Sequence, residues 1–162
     1  MTKRFFRFTL VNIKERRLKM TLSHTISASE RQVLRVIWAN PKCTSSFIIE
    51  ALSTNFNWQA ATIKTLINRL LKKEFIIPTS KRPYQYIATL TEEELLDLEC
   101  NELLSHVCQK KQGELLSILI QKAQLSKQDT YQLQKLLQEK EIDAPDHLAC
   151  TCIPGQCRCC HH

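Results

Sequence analysis

The last thirteen residues constrain this chain more than any other stretch. Cys150-Thr151-Cys152-Ile153-Pro154-Gly155-Gln156-Cys157-Arg158-Cys159-Cys160-His161-His162 holds five of the eight cysteines, four of them spaced C-x-C-x4-C-x-C. Side chains two apart on an extended segment point the same way, so each C-x-C arm offers two sulfurs to one side. Pro154-Gly155 between the arms suits the central positions of a type II turn, with Gly155 taking the positive φ. Such a turn folds one arm onto the other and brings Cys150, Cys152, Cys157 and Cys159 together. Converging thiolates make a soft-metal site that suits Zn, Cu(I) or an iron–sulfur cluster. The competing readings are a disulfide cluster and a disordered chain end. Cys160, His161 and His162 fall outside the pattern, as accessory ligands or as decoration.

A chain of 162 residues can bury a real core in one or two domains. Only Gly113 and Gly155 occur as glycines, which removes glycine-rich nucleotide loops from consideration. No run of apolar residues is long enough for a transmembrane helix, so no membrane partner is expected. The net charge of +7 is unevenly spread. Residues 1–19 carry seven basic groups and one acid, and residues 28–90 carry nine against three. Residues 91–147 carry six lysines against twelve acids. A basic domain followed by an acidic one fits a nucleic-acid partner for the first.

Residues 1–24 show no helical stripe and no signal-peptide design, and read as a basic extension, disordered or mis-assigned. The preferred reading starts translation at Met20; the alternative is a basic arm that adds phosphate contacts. Ser27-Ala28-Ser29-Glu30 is a capping box opening a helix with Val33, Leu34, Ile37 and Trp38 on one face, ending at Asn40-Pro41. Ser45 or Ser46 is expected to cap a second helix carrying Ile48, Ile49 and Leu52, with a turn through residues 53–56. Asn57 is expected to cap a third helix, Trp58 to about Lys73.

That third helix has two faces. Ile63, Leu66, Ile67, Leu70 and Leu71 form an apolar stripe. Thr62, Thr65, Arg69 and Lys72 recur on another side, flanked by Lys64 and Asn68, with no acid before Glu74. A solvated helix face could look the same, but this one is unusually rich in donors and cations. Two β-rich runs, 75–78 and 84–88, then flank the basic turn Thr79-Ser80-Lys81-Arg82-Pro83. Three helices and a basic hairpin make a winged helix-turn-helix over residues 25–90. Its third helix would enter the major groove and its hairpin would lie on phosphates. Thr62, Thr65 and Arg69 are the leading DNA contacts, Lys64 and Lys72 flank them, and Lys81 and Arg82 are phosphate contacts. Trp38 and Trp58 read as packing residues.

The rest is helical. Three short amphipathic helices over 91–143 begin at Thr91-Glu92-Glu93-Glu94, after Gly113, and at Ser126-Lys127-Gln128-Asp129. Their leucine faces offer too little mutual surface for an independent core and are expected to pack on a second chain. Cys100 and Cys108 read as core thiols inside the first of them, and Cys43 as a loop thiol. Ala144-Pro145-Asp146 ends the last helix and frees the tail, residues 144–162. The expected fold is therefore mainly α: winged helix, helical dimerisation domain and cysteine-rich metal-binding tail.

This order resembles the copper-responsive repressors of the CopY type, a branch of the penicillinase-repressor (BlaI/MecI) family. The resemblance covers about residues 25–160. Ile26 to Glu30, Val36-Ile37-Trp38, Ala61 to Leu70 and Lys72-Lys73 look like the family's DNA-binding core, and the cysteine tail points to the copper branch. The resemblance implies a cytoplasmic homodimer bound to inverted-repeat operator DNA ahead of copper-transport genes. It implies one Zn²⁺ per chain on Cys150, Cys152, Cys157 and Cys159 in the DNA-binding form. Two Cu(I) ions, with a copper chaperone as a candidate donor, would replace it and release the DNA. The residues 1–19 extension and the trailing Cys160-His161-His162 depart from that pattern.

Two other classes are weighed. An enzyme is not expected, because the histidines are scattered or terminal and no metalloprotease or nucleophile-elbow motif occurs. A metal buffer would use the tail but leave the winged domain without a role. Within the repressor class, sensing of another soft metal (Zn or Cd) is the alternative.

Overall fold

The computed structural model describes residues 26–79, 83–153 and 155–157. The basic extension of residues 1–24 and its Met20 start lie outside them, as do Lys81 and Arg82 of the basic turn. The chain divides into two compact units between Leu95 and Leu96.

The first unit starts with α1 (Ala28–Ala39), capped as its sequence predicts. The Glu30 N–H donates to Ser27 Oγ at 3.2 Å, and the Ser27 N–H donates to Glu30 Oε2 at 2.8 Å. A two-residue strand, β1 (Cys43–Thr44), precedes α2 (Ser45–Phe56), and α3 (Ala60–Lys72) follows. The hairpin strands are β2 (Ile76–Pro78) and β3 (Gln85–Ala88). The sheet order is β1-β3-β2, antiparallel throughout, with Cys43 opposite Tyr86 and Ile77 opposite Ile87. Pro78 sits on edge strand β2, where its missing N–H costs no ladder bond.

Helices and sheet enclose one apolar core. Val33, Leu34 and Ile37 of α1, Ile48 and Leu52 of α2, and Ile63, Leu66, Ile67 and Leu70 of α3 are buried in it, as are Phe75, Ile76 and Tyr86. Trp38 and Trp58 pack against this core, as expected. The Trp38 indole N–H also donates to the Leu90 carbonyl at 2.8 Å.

Several local expectations are corrected. Thr44, not Ser45 or Ser46, caps α2, its hydroxyl accepting from the Phe47 N–H at 3.3 Å. The hydrogen-bonded helix runs through 53–56, so the connection expected there falls instead at residues 57–59. Asn57 does not cap the third helix; it closes α2 in the left-handed conformation (φ 53°), a role a short amide side chain tolerates well. Cys43 belongs to a strand rather than a loop, and burial pushes its thiol up, away from reactivity.

Glu30 does more than cap α1. It is 1% exposed, and the Lys73 ammonium at the end of α3 donates to its Oε2 at 2.8 Å. Burial pushes its carboxyl up, but Lys73 and the Ser27 amide and hydroxyl outweigh that and hold it below the ordinary carboxylate value. The stability this carboxylate supplies is thus complete above its unfolded pKa and is lost as pH falls through the lower folded value. Glu30→Ala is expected to cost about 3 kcal/mol in urea denaturation of the full chain, the low end for breaking a buried pair. The low end applies because Lys73 keeps a quarter of its side chain in water.

In the first turn of α4 (Glu92–Ser105), Leu95 is buried in the same core; the rest of this helix belongs to the second unit. A capping box opens it, Thr91 N–H to Glu94 Oε2 and Glu94 N–H to Thr91 Oγ1, each at 3.0 Å. A 3-10 turn (Gln109–Lys111) leads into α5 (Gln112–Lys122), which includes Gly113 rather than starting after it. The last helix, α6 (Lys127–Ile142), is capped at Ser126 as expected, where Ser126 and Asp129 form a capping box, and ends before Ala144-Pro145. Neither α5 nor α6 contains a buried residue. Among the described residues no helix is long and apolar enough to cross a membrane.

Candidate nucleic-acid interface and metal centre

The polar face of α3 exists as one exposed strip. Thr62, Lys64, Thr65, Asn68 and Arg69 are exposed, with Lys72 at the end of the helix, while Ile63, Leu66, Ile67 and Leu70 bury the opposite side. Three cations share this strip without an acidic partner on the helix, so its field is positive along its length. Thr65 turns its hydroxyl proton back to the Ala61 carbonyl at 2.9 Å, which leaves the oxygen to accept a bond. The start of α3 is braced by the Trp58 ring, stacked on Phe56 with centroids 5.0 Å apart. The base of the wing is closed by the Thr79 N–H bonding the Gln85 carbonyl at 2.8 Å.

The predicted turn in the tail is present. The Gln156 N–H donates to the Ile153 carbonyl at 3.1 Å, and Gly155 takes φ 89°, the conformation a type II turn requires at its third residue. It brings the arms together: Cys150 and Cys157 have their sulfurs 3.4 Å apart. Cys152 joins them, its sulfur within 4.8 Å of that of Cys150. Cys159, Cys160, His161 and His162 lie outside the described residues.

One member of the cluster is absent from the C-x-C arms. The Cys108 sulfur lies 3.6 Å from that of Cys150, and Cys108, Cys150 and Cys152 hold their sulfurs within 4.8 Å of one another. Reading Cys108 as a core thiol inside a helix is therefore wrong, because α4 ends at Ser105 and Cys108 precedes the 3-10 turn, half-buried. Cys100, the other thiol read as core, is exposed. No local pattern marks Cys108; its partner is 42 residues away.

The thiols of the cluster do not ionise alike. Backbone N–H groups of Thr151 and Lys110 hold the Cys108 thiol below its ordinary value, whereas hydrogen bonding to Cys157 and burial push Cys152 well above it. Thiols ionise outright when they coordinate a soft cation. The donor set, all sulfur, fits Zn²⁺ or Cu(I) rather than a hard ion. Thiolates of a tetrahedral zinc site with bonds of about 2.3 Å lie about 3.8 Å apart, close to the spacings found here.

The family model described as penicillinase repressor matches residues 26–139. The chain belongs to the penicillinase repressor family. It is thus a member of a family of repressors and not an enzyme. A 16.5 kDa protein from the ptsI 3′ region of Latilactobacillus sakei is 38% identical over 138 residues, covering 85% of this chain and 94% of that protein. The methicillin resistance regulatory protein MecI of Staphylococcus aureus (strain N315) is 27% identical over 119 residues, 73% of this chain and 97% of MecI. Among solved structures, Bacillus licheniformis BlaI in complex with the blaP half-operator aligns at 28% identity with a TM-score of 0.40, over 44% of this chain and 88% of BlaI. The family match stops short of the tail thiols Cys150, Cys152 and Cys157, while Cys108 falls within it.

Proposed function

We propose that this penicillinase-repressor family member is a metal-responsive repressor acting on operator DNA in the cytoplasm. The exposed α3 strip supports the DNA reading: Thr62, Thr65 and Arg69 face base edges, Lys64 and Lys72 flank them, and Lys81 and Arg82 meet phosphates from the wing. The exposed apolar residues of α5 and α6 support a homodimer, whose two-fold axis matches an inverted repeat. The observation that carries the metal reading is the convergence of tail thiols around the Ile153–Gln156 turn.

In the proposed cycle, Cys150, Cys152, Cys157 and Cys159 hold one Zn²⁺ in the DNA-binding form. With copper in excess, these thiolates exchange it for two Cu(I), delivered by a chaperone or from the free pool. Cu(I) accepts lower coordination numbers and shared sulfurs, so the tail must change shape on exchange. A 100-fold loss of operator affinity needs a coupling of roughly 2.7 kcal/mol, an ordinary value for linked sites. The regulated genes would then be those that move copper across the membrane.

The test is an operator-binding titration of the zinc-loaded chain with Cu(I), on a duplex from its own upstream region at fixed salt. The expected result is release of Zn²⁺ and at least 100-fold weaker binding at about two Cu(I) per chain. Binding that survives copper but responds to Zn²⁺ or Cd²⁺ would move the sensor to those ions. Binding indifferent to every soft metal would reduce the tail to a buffer.

A further inference from the structure

We propose that Cys108, supplied by the helical unit rather than by either C-x-C arm, is itself a ligand thiol of this metal site, taking the fourth position beside Cys150, Cys152 and Cys157 in place of Cys159. The inference rests on reading the tail as a soft-metal site. Its own support is geometric. The Cys108 sulfur is 3.6 Å from Cys150, and its spacing to Cys150 and Cys152 stays within 4.8 Å, which brackets the edge of about 3.8 Å expected of a tetrahedral thiolate site. Three sulfurs of the set already stand at ligand spacing.

Cys108 is also held ready. The Lys111 N–H donates to the Cys108 carbonyl at 2.7 Å, starting the 3-10 turn, and the Gln112 amide reaches back to the Leu104 carbonyl at 3.1 Å. These bonds fix its backbone between α4 and α5, whereas residues 144–152 of the tail carry no helix or strand. A ligand on an ordered element loses less freedom on binding than one on a loose arm. Proximity is selective as well: Cys100 is exposed on α4, and neither it nor Cys43 belongs to the cluster. On ligation the Cys108 thiol releases its proton to solvent and its sulfur forms one bond to the metal. That bond closes a loop across 42 residues and makes the tail part of the helical unit.

The test uses the full chain, metal-free and zinc-loaded, pulsed with iodoacetamide and read cysteine by cysteine by mass spectrometry. Zinc should slow alkylation of Cys108 at least tenfold, together with Cys150 and Cys152, and leave Cys100 unchanged. Protection of Cys150 and Cys152 without protection of Cys108 would overturn this inference and leave the proposed metal site standing. Unprotected Cys150 and Cys152 would overturn both. A second measurement separates ligation from shielding. In the cobalt(II)-loaded chain, Cys108→Ser should lower the thiolate-to-metal absorption by about a quarter, one sulfur of a four-ligand set. An unchanged band, with helical circular dichroism also unchanged, rejects the assignment.

Discussion

Arg69→Ala is expected to weaken operator binding by a factor of about 10² to 10⁴. A bidentate arginine contact to a base is worth about 1–3 kcal/mol, and a dimer on an inverted repeat loses it in both half-sites. Arg69 lies in the last turn of α3, exposed, on the face opposite the buried Leu66–Leu70 pair, so its removal leaves the core untouched. Two measurements assign its role. If Arg69 reads a base, the variant loses discrimination between the operator and a scrambled duplex. If it neutralises a phosphate, discrimination survives and the salt slope of log K falls by about 0.9 for each phosphate left unneutralised. Lys127→Ala, on exposed α6 of the acidic half, should change neither. Equal affinity of Arg69→Ala and the parent chain at every salt concentration would remove α3 as the reading helix.

The face that carries Arg69 is legible in the order of residues alone. The 3.6-residue spacing of Ile63, Leu66, Ile67 and Leu70 dictates which side of α3 is buried, and the cationic face follows by elimination. Capping boxes at Ser27, Thr91 and Ser126 are local chemistry, written within four residues, and all three form. The Pro154-Gly155 turn is equally local, because the positive φ of Gly155 is a property of that residue type.

Illegible features are those created by distant partners. Glu30 looks like a cap residue, and its ion pair with Lys73 depends on α1 and α3 packing 43 residues apart. Cys43 lacks a strand signature because two residues cannot show an alternation; only pairing to Tyr86 and Gln85 makes them a strand. Asn57 reads as the cap of the wrong helix because a short amide serves both ends, accepting at an N-terminus or tolerating a left-handed φ at a C-terminus. Cys108 belongs in the same class. Its role is set by a tail that returns to it, and a lone thiol after a leucine stripe carries no such message.

The second large effect is expected at the apolar surface of the helical unit. The double variant Leu119→Glu, Leu136→Glu should turn the proposed homodimer, at micromolar concentration, into a monomer. In the single chain Leu119 is 42% and Leu136 58% exposed, and Leu116, Ile118, Ile120 and Leu137 are also open to water. Two-fold symmetry counts each substitution twice, so four leucines leave the interface. At about 1.5–3 kcal/mol for each fully buried leucine, even a third of the total, about 2–4 kcal/mol, raises the dimer Kd about 30- to 1000-fold. Both positions lie on helix surfaces with no buried residue, and glutamate is a good helix former, so helical circular dichroism should persist. Sedimentation equilibrium checks the state of association, and the DNA readout follows from it. Binding to a full inverted repeat should collapse toward the affinity for a half-site, while the half-site affinity itself stays near that of the parent. A double variant that still sediments as the parent does would place self-association on another surface or deny it, and the palindromic operator would lose its structural reason.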